Sequence, residues 1–503
     1  MTFNYTLDLK RNLEQRLGKK LLKFFYYASI VLYLFSPCIY LLATREINPS
    51  LFVRFSPDDA FYYLQIGYNL ANHGIVSFDG VNITTGFHPL QLLFVTAVEL
   101  IFDKNNTLIF LYCFNFFAIG FSLFTISSAL KINKNIIVYY SIITLPIFNL
   151  FLITNSGMES AILLILLSIF YYSLINFDNY SKFKMAIFFG IELGLIFLAR
   201  LDMIIPMSIF YLFISYKYLK CQKYKLIFIT IITCLLVISP YFLWMIDTQG
   251  SVFPISSIVK QYLVKASFDA KIVAMTGGQS IGLLFLATPV LVSLLSIYCY
   301  VRNLSNKQLK VAAIGSASNI LYLIYIFALA HEPYRWYLNY CLFISSISLM
   351  IIFDFYFSNT SKIPKYLIIL LPSICLLVNI FSVVYWSKLE TISYQMLQMT
   401  YKVNKIVPIN SNIAISDAGV VGYFSTSNVH NLDGLVNSYE NWNNFLKHQE
   451  ILDYAKKYHI KYLLLKSPSL AKINSQELNE KLVIVDSYKI DKLGDEKLIF
   501  VNF

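Results

Sequence analysis

The sequence predicts a polytopic α-helical membrane protein with a small α/β domain at its C-terminal end. Of its 503 residues, 57% are hydrophobic and only 14% are charged, whereas soluble domains carry about 25% charged residues. So few charges cannot cover a soluble surface, which excludes a soluble globule and a disordered chain. A series of apolar runs, most of them near the roughly 20 residues needed to span a bilayer, supports the membrane class.

The chain begins with a basic segment, followed by the first apolar run. Residues 1–24 contain six Lys or Arg residues, and the apolar run Phe24–Thr44 follows. This run is too long for the core of a signal peptide and lacks a small-residue cleavage site. It predicts a first spanning helix with its N-terminus in the cytoplasm.

Ten further apolar runs bring the predicted total to about eleven spans. Two short runs are expected to form a hairpin that turns at Arg200–Asp202. The later runs are 107–130, 136–153, 160–177, 185–199, 203–216, 226–246, 281–301, 311–330, 337–357 and 366–387.

The distribution of basic residues decides the predicted topology. The apolar segment His88–Phe102 has only 15 residues. If it does not span, the cytoplasmic loops hold 19 Lys or Arg in 62 residues, and the opposite side holds 8 in 111. If it spans, 13 of those 19 move outside. The positive-inside rule therefore predicts a non-spanning segment and, with an odd number of spans, an extracytoplasmic C-terminal region.

The net charge of +12 and the cysteines fit the same class. The excess of basic residues lies in short loops between apolar runs, where it orients the chain in the membrane, so no nucleic-acid partner is predicted. Six of the seven cysteines lie in apolar runs and none is spaced as a metal pair. No disulfide framework is expected.

The region from about residue 388 to the end has a different composition. A helix is predicted at Tyr439–Tyr458, and short strands at Asn412–Ser416, Ile460–Leu465, Leu482–Ser487 and Lys497–Phe503. We therefore expect two domains. Residues 1–390 form the membrane domain, including a first outer loop over 45–106, and residues 391–503 form an extracytoplasmic α/β domain.

Two adjacent acids in the first outer loop are the strongest candidate for catalysis. Asp58 and Asp59 follow Ser56, which suits a helix N-cap, and Pro57, which suits the first helical position; Gly74 would end the helix. One explanation is structural, because acids are favourable in a first helical turn. The other is functional, because an ionised carboxylate there accepts a proton from a hydroxyl or binds a cation.

Further polar residues lie in outer loops or near them. His88 begins the short apolar segment, Glu159 precedes a span, and Arg200 lies two residues from Asp202. A lone His at such a position is more often a hydrogen-bonded structural residue than a catalyst. Glu159 is explained equally well as a helix cap, and Arg200 and Asp202 could simply pair to stabilise the turn. Their common side of the membrane favours a shared site.

The basic candidates for phosphate binding lie on the predicted outer side. They are Lys260 in the loop 247–280, and His331 and Arg335 near the start of a later span. A guanidinium binds phosphate through paired hydrogen bonds, although Arg335 could instead pair with Glu332.

The motifs together resemble bacterial integral-membrane glycosyltransferases of the GT-C fold, which include lipid A aminoarabinose transferases and protein O-mannosyltransferases. The resemblance covers about residues 1–390 and rests on four segments: Asp-Asp-Ala-Phe-Tyr-Tyr-Leu from Asp58, Thr-Gly-Phe-His-Pro-Leu from Thr85, Ser-Gly-Met-Glu-Ser-Ala from Ser156, and Leu-Ala-Arg-Leu-Asp ending at Asp202. Many relatives have Asp-Glu where this chain has Asp58-Asp59, so either carboxylate can be the base.

The resemblance implies an activity and a location. The expected reaction is an inverting transfer of a sugar from a polyprenyl-phosphate donor to a glycan, lipid or protein on the outer face of the bacterial inner membrane. Asp58 or Asp59 would be the general base or would bind a divalent cation such as Mg²⁺ or Mn²⁺, and Arg335, His331, Lys260 and Arg200 would offset the phosphate charge. The alternatives are a transporter or flippase of a lipid-linked saccharide and a non-catalytic partner with the same fold.

The C-terminal region also resembles the tails of a bacterial subset of these proteins. Asp417 and Asp433 lie in the segments that carry this resemblance, and each is expected to follow a strand. Binding residues often lie at such ends, but turn formation explains these Asp-Ala-Gly and Asp-Gly sequences equally well.

Overall fold

A computed structural model describes most of the chain. The described residues are 49–130, 155–176, 182–262, 266–276, 280–330, 333–357, 384–385, 388–466, 482–490 and 494–501. The predicted spans at 24–44 and 136–153 lie outside these residues, as does nearly all of the one at 366–387.

Helices make up most of the described part of the membrane region. Four helices belong to the first outer loop or directly follow it: α1 (Pro49–Val53), α2 (Asp58–His73), α3 (Pro89–Glu99) and α4 (Lys104–Leu130). The later helices are α5 (Ser160–Ile175), α6 (Lys182–Ala199), α7 (Ile204–Lys220), α8 (Tyr224–Gln249), α9 (Ile255–Tyr262), α10 (Phe268–Thr276), α11 (Ser280–Arg302), α12 (Lys307–Ala328) and α13 (Leu338–Phe357).

The eight predicted spans that fall in the described residues all form helices, and α6 and α7 turn at Leu201–Met203 as expected. Among the described residues, four helical segments combine the length and hydropathy needed to cross a bilayer: Lys104–Leu130, Tyr224–Gln249, Lys307–Ala328 and Arg335–Tyr356. The protein is therefore a multi-pass membrane protein, while the total of about eleven spans stays a prediction. Helix α3 has 11 residues and is about 16 Å long, which is too short for a bilayer core of about 30 Å.

Helix α2 confirms the predicted end of the first-loop helix but corrects its start. Gly74 ends the helix in the left-handed conformation with φ of 69°, which glycine adopts without strain. The helix begins at Asp58, with Pro57 one position before it and no side-chain cap. Ser56 is not the cap, because its hydroxyl donates to the Phe52 carbonyl at 3.4 Å.

The C-terminal region forms a five-stranded mixed sheet with the order β2-β1-β3-β5-β4. Strands β1 (Asn412–Ile415), β2 (Asn428–Asn431) and β3 (Tyr462–Lys466) are parallel, whereas β4 (Leu482–Ile490) and β5 (Gly494–Val501) pair antiparallel. Its helices are α14 (Ile392–Ile406), α15 (Gly419–Phe424), α16 (Tyr439–Asn444) and α17 (Ile451–Lys457). The sheet and its parallel half agree with the predicted α/β class, while the domain boundary at residue 390 stays a prediction.

The single helix predicted over Tyr439–Tyr458 is wrong. Helices α16 and α17 are separated by a short turn over Leu446–His448, after which Gln449 adopts a left-handed conformation with φ of 61°. That conformation cannot continue a right-handed helix.

The first outer loop and the C-terminal region share one apolar core. Phe61 and Leu64 of α2 are fully buried in it together with Val420 and Val421 of α15. A second core lies between the membrane helices and includes Phe170, Phe210 and Tyr322. Helix α2 therefore lies between the C-terminal sheet and the membrane helices, and this position sets the geometry of the candidate site.

Candidate active site beside the first-loop helix

A cavity of about 640 Å³ collects most of the polar residues that the sequence analysis selected. Six of the nine candidates line it: Asp59, His88, Glu159, Arg200, Asp202 and Lys260. Asp58 and Arg335 are described but are not among the lining residues, and His331 lies outside the described residues. Four loop segments that are far apart in the sequence therefore meet at one site.

Asp59 projects from the first turn of α2 toward this cavity. Tyr62 and Tyr63 lie three and four positions later, on the same side of the helix, and also line the cavity. Burial raises the pKa of Asp59 to about 6, with Lys260 lowering it and the charges of Asp417 and Glu159 raising it. A carboxyl with this pKa is mostly ionised at neutral pH and is a stronger base than an exposed aspartate.

Asp58 projects from the same turn in a different direction. Its carboxylate accepts hydrogen bonds from the backbone N–H groups of Gly419 at 3.0 Å and Val420 at 2.8 Å. Burial raises the pKa of Asp58 to about 7 against the effect of the Val420 N–H, which lowers it. These contacts occupy the carboxylate within the C-terminal region rather than in the cavity.

Arg200 is the centre of a buried network of charges. It forms salt bridges with Glu159 at 3.0 Å and Asp202 at 2.8 Å, and its side chain is only 4% exposed. Tyr322 donates to Asp202 at 2.7 Å, and the guanidinium lies 4.3 Å from the centre of the Tyr337 ring. We call Arg200, Glu159, Asp202 and Tyr322 the Arg200 network. It confirms that Arg200 and Asp202 pair at the turn.

His88 connects α2 to the turn after α6. Its Nδ1 accepts a hydrogen bond from the Leu201 N–H at 3.3 Å, and its ring stacks on Tyr63 with centroids 6.4 Å apart. Burial lowers the pKa of His88, so the ring is neutral near pH 7. His88 therefore makes the predicted structural hydrogen bond, and its ring also faces the cavity.

Glu159 occupies the N-cap position of α5 without capping it through its side chain, because its carboxylate pairs with Arg200. Gln91 of α3 donates to the Gly157 carbonyl at 2.7 Å, which attaches this loop to the first outer loop.

Lys260 lies on the short helix α9 and differs from Arg200 in its partners. Among the described residues it forms no salt bridge. The pKa of Lys260 is raised by Tyr337 and, against the effect of burial, by Asp59, so the ammonium is charged at neutral pH. We call Asp59 and Lys260 the open wall of the cavity.

The first loop holds α9 in place through a polar contact at the start of the helix. The hydroxyl of Thr85 accepts from the Ile255 N–H at 2.9 Å and donates to Gln249 at 2.6 Å.

Apolar side chains from the membrane helices form the remaining wall. Phe197, Ile204, Ile205 and Phe242 line the cavity near α6, α7 and α8, and Tyr325 and Leu329 line it at the end of α12. An apolar wall beside fixed charges suits a ligand with a charged head and a hydrocarbon chain.

Several lining residues were not selected from the sequence. Tyr62 and Tyr63 could have been found, since they lie one helical turn after Asp58 and Asp59. Leu435 and Val436 of the C-terminal region also line the cavity; they lie next to Asp433, in the segment whose resemblance the sequence analysis noted without selecting these two residues.

Two further predictions, a phosphate-binding role for Arg335 and a metal site, can be compared with the structure. Arg335 begins a 3₁₀ turn over Arg335–Tyr337, and its neighbours Trp336 and Tyr337 line the cavity in its place. In the described part of the chain, no group of three or more His, Cys, Asp or Glu side chains is arranged to hold a metal ion.

This architecture is similar to that of proteins whose structures have been solved. Crystal structures of ArnT from Cupriavidus metallidurans match over 92% of this chain and 98% of theirs. The TM-score is 0.60 at 11% identity for ArnT bound to undecaprenyl phosphate, and 0.61 at 9% identity for its apo state. The chain has the fold of ArnT. The GT-C fold implied by the sequence resemblance is thus confirmed.

Sequence comparisons add information on one region only. A model for a domain of unknown function, DUF8728, matches residues 384–496. No curated protein matches the sequence.

Proposed function

We propose that the protein is a membrane glycosyltransferase that transfers a sugar from a polyprenyl-phosphate donor to a hydroxyl of an extracytoplasmic acceptor, with inversion at the anomeric carbon. The observation that carries this proposal is the open wall: a carboxylate with a raised pKa shares a cavity with apolar walls with an ammonium that forms no ion pair to any described residue. The ArnT fold supports it, and that ArnT structure is bound to undecaprenyl phosphate.

In the proposed reaction Asp59 is the general base. Its carboxylate accepts the proton of the acceptor hydroxyl while the hydroxyl oxygen bonds to the anomeric carbon. The bond between that carbon and the phosphate oxygen breaks, and the polyprenyl phosphate leaves with the electron pair. A base with a pKa near the working pH is effective, because it is ionised before the step and strong enough to take the proton.

Lys260 is the best candidate to bind the leaving phosphate. The negative charge on this group increases as the bond breaks, so a fixed cation stabilises the transition state more than the bound donor. Arg200 is less suitable, because two carboxylates within 3.0 Å already neutralise it. Arg200 then contributes by holding Glu159, Asp202 and the surrounding turns in place.

The direct test is Asp59→Asn, which keeps the shape of the side chain and removes its ability to accept a proton. The purified full-length protein would be assayed with synthetic polyprenyl-phosphate hexoses and pentoses, by measuring released polyprenyl phosphate and new glycosidic product. General-base catalysis predicts a fall of about 10²–10⁴ in kcat. Near-normal transfer by Asp59→Asn would reject the assignment.

Asp103→Asn is the matched control. Asp103 lies in the same loop and accepts hydrogen bonds from Asn105 and Asn106 at the start of α4, away from the cavity. Asn serves there as well as Asp does, so activity should be unchanged. Movement of lipid-linked sugar across vesicles by the wild-type protein, with no new glycosidic bond, would favour the transporter alternative. Neither movement nor transfer would favour the non-catalytic partner.

A further inference from the structure

The contacts of Asp58 connect the first-loop helix to the region matched by DUF8728. The two N–H groups that Asp58 accepts from, those of Gly419 and Val420, are the first two of α15. Helix α15 has only six residues, so its N-terminus alone is a weak anion site. The anion at this helix N-terminus is the carboxylate of Asp58, which belongs to the same chain and lies 361 positions earlier in the sequence.

The same edge of the C-terminal sheet makes a second polar contact with α2. Asp433 follows the parallel strand β2, and its carboxylate accepts a hydrogen bond from the Tyr62 hydroxyl at 3.1 Å. The Asn431 side chain also donates to that hydroxyl, at 3.4 Å. Open α/β sheets bind ligands at the carboxyl ends of their parallel strands. In this protein the first turn of α2 occupies that position.

Two glycines allow the backbones to approach closely at this contact. A Cβ at Gly419 would lie 2.1 Å from the Asp58 carbonyl oxygen, and a Cβ at Gly86 would lie 1.9 Å from the Leu435 carbonyl oxygen. Any larger residue at either position therefore requires the two regions to separate. Leu435 and its neighbour Val436 extend from this contact into the cavity wall.

We propose that the C-terminal domain binds the first turn of α2 as an internal ligand, and that Asp58 is a positioning residue which holds Asp59 in the cavity through Gly419 and Val420. This inference rests on the proposed function, since it takes Asp59 as the base. It gives the region matched by DUF8728 a role in catalysis without direct contact between Asp58 and the substrate.

The physical reason is that Asp58 and Asp59 share one helical turn. A shift of Asp58 moves the backbone of that turn, and Asp59 moves with it. A displacement of about 1 Å in a reacting group can lower a rate by about 10²-fold. Lys260 is on α9, which contacts the first loop through Thr85 and packs on the C-terminal domain through Ile255 and Val259. These contacts hold α9 independently of Asp58, so phosphate binding should not change.

The test changes the contact from both sides. Gly419→Ala alters only the C-terminal domain and leaves both carboxylates intact, whereas Asp58→Asn replaces one accepting oxygen with an N–H donor. Each should lower kcat by about 10- to 100-fold. Neither should change the Kd of undecaprenyl phosphate, measured on the purified full-length protein in lipid nanodiscs. If a variant only destabilises the protein, its thermal unfolding midpoint should fall, but kcat should not fall selectively while the Kd stays constant.

Tyr458→Phe is the matched control for the interface. The Tyr458 hydroxyl contacts Asn82 at 2.8 Å, so it joins the same two regions at a point that is not part of the cavity. The same hydroxyl also contacts Asn441 at 2.8 Å within the C-terminal domain, and losing both contacts should leave kcat unchanged. An equal fall in kcat for Tyr458→Phe would overturn the specific role of Asp58.

Hydrogen exchange gives a readout that does not depend on transfer activity. Gly419→Ala should increase backbone exchange in the first turn of α2 and in residues 433–436, while β1 and β3 stay protected. If the wild-type protein transfers no sugar, the proposed function fails, and the exchange pattern still decides whether the domain holds this turn. Wild-type kcat together with unchanged exchange in folded Gly419→Ala would overturn the inference.

Discussion

The Arg200 network and the open wall line the same cavity, but their charged groups are balanced in different ways. In the network one guanidinium pairs with two carboxylates, and the group is almost completely buried. In the open wall, Asp59 and Lys260 are half-buried and neither has a salt bridge among the described residues. Paired charges maintain the structure, whereas charges without close partners are available to a substrate.

The largest expected effect concerns the side of the membrane on which the cavity lies. The positive-inside rule predicts that Tyr218, at the end of α7, is cytoplasmic and that the C-terminal domain is outside. Reporter fusions after Tyr218 and after Ser387 should therefore report opposite compartments. Two fusions that report the same compartment would reject the eleven-span topology and the outer location of the cavity.

The next largest effect is expected from breaking the Arg200 network. Arg200→Met leaves Glu159 and Asp202 buried without their cation, which should lower the free energy of unfolding by about 3–5 kcal/mol. Lys260→Met should change it by only about 0.5 kcal/mol, because no salt bridge among the described residues is lost. Thermal unfolding of both variants in the same detergent measures the contrast. Equal losses of stability in the two variants would show that the Arg200 network and the open wall do not differ in their contribution to folding.

Ligand binding should show the reverse contrast. Lys260→Gln removes a charged hydrogen-bond donor worth about 1.5–3 kcal/mol, so the Kd of undecaprenyl phosphate should rise by about 10- to 100-fold. Lys260→Arg keeps the charge and should retain most of the affinity. Titration of the purified protein with undecaprenyl phosphate gives the Kd. An unchanged Kd for Lys260→Gln would remove Lys260 from the phosphate site.

The pH dependence is the smallest expected effect. Asp59 must be ionised to accept a proton, and burial raises its pKa to about 6. The value of kcat/KM should therefore be constant above about pH 6 and fall about tenfold per unit below it. The fall should persist in Asp58→Asn and be absent from any residual activity of Asp59→Asn. If the fall in kcat/KM is lost in Asp58→Asn, the base is Asp58 and not Asp59.

Much of the fold followed from composition and periodicity. Apolar runs identified eight helices among the described residues, because a helix in lipid must be apolar over its length. The end of α2 at Gly74 and the turn at Arg200–Asp202 also followed from local chemistry. The break at Gln449 did not, since no glycine or proline marks it and the surrounding pattern continues to favour a helix.

The site was predictable as a group of residues but not in its internal roles. The sequence predicted that Asp59, His88, Glu159, Arg200, Asp202 and Lys260 lie on one side of the membrane, and the structure brings all six to one cavity. Arg335 carried the same sequence signal and does not line it. A side-chain direction at the start of a span depends on how the helix is rotated against its neighbours, and loop sequences do not encode that rotation.

By itself, the sequence predicted two carboxylates in the first turn of a loop helix of a membrane protein, and it treated Asp58 and Asp59 as equivalent. Only the tertiary structure separated them. Consecutive residues on a helix point about 100° apart, so two adjacent side chains cannot face the same neighbour. Asp58 meets α15 of a domain hundreds of residues away, and Asp59 meets the cavity. That division depends on long-range packing, which no local pattern around these two residues records.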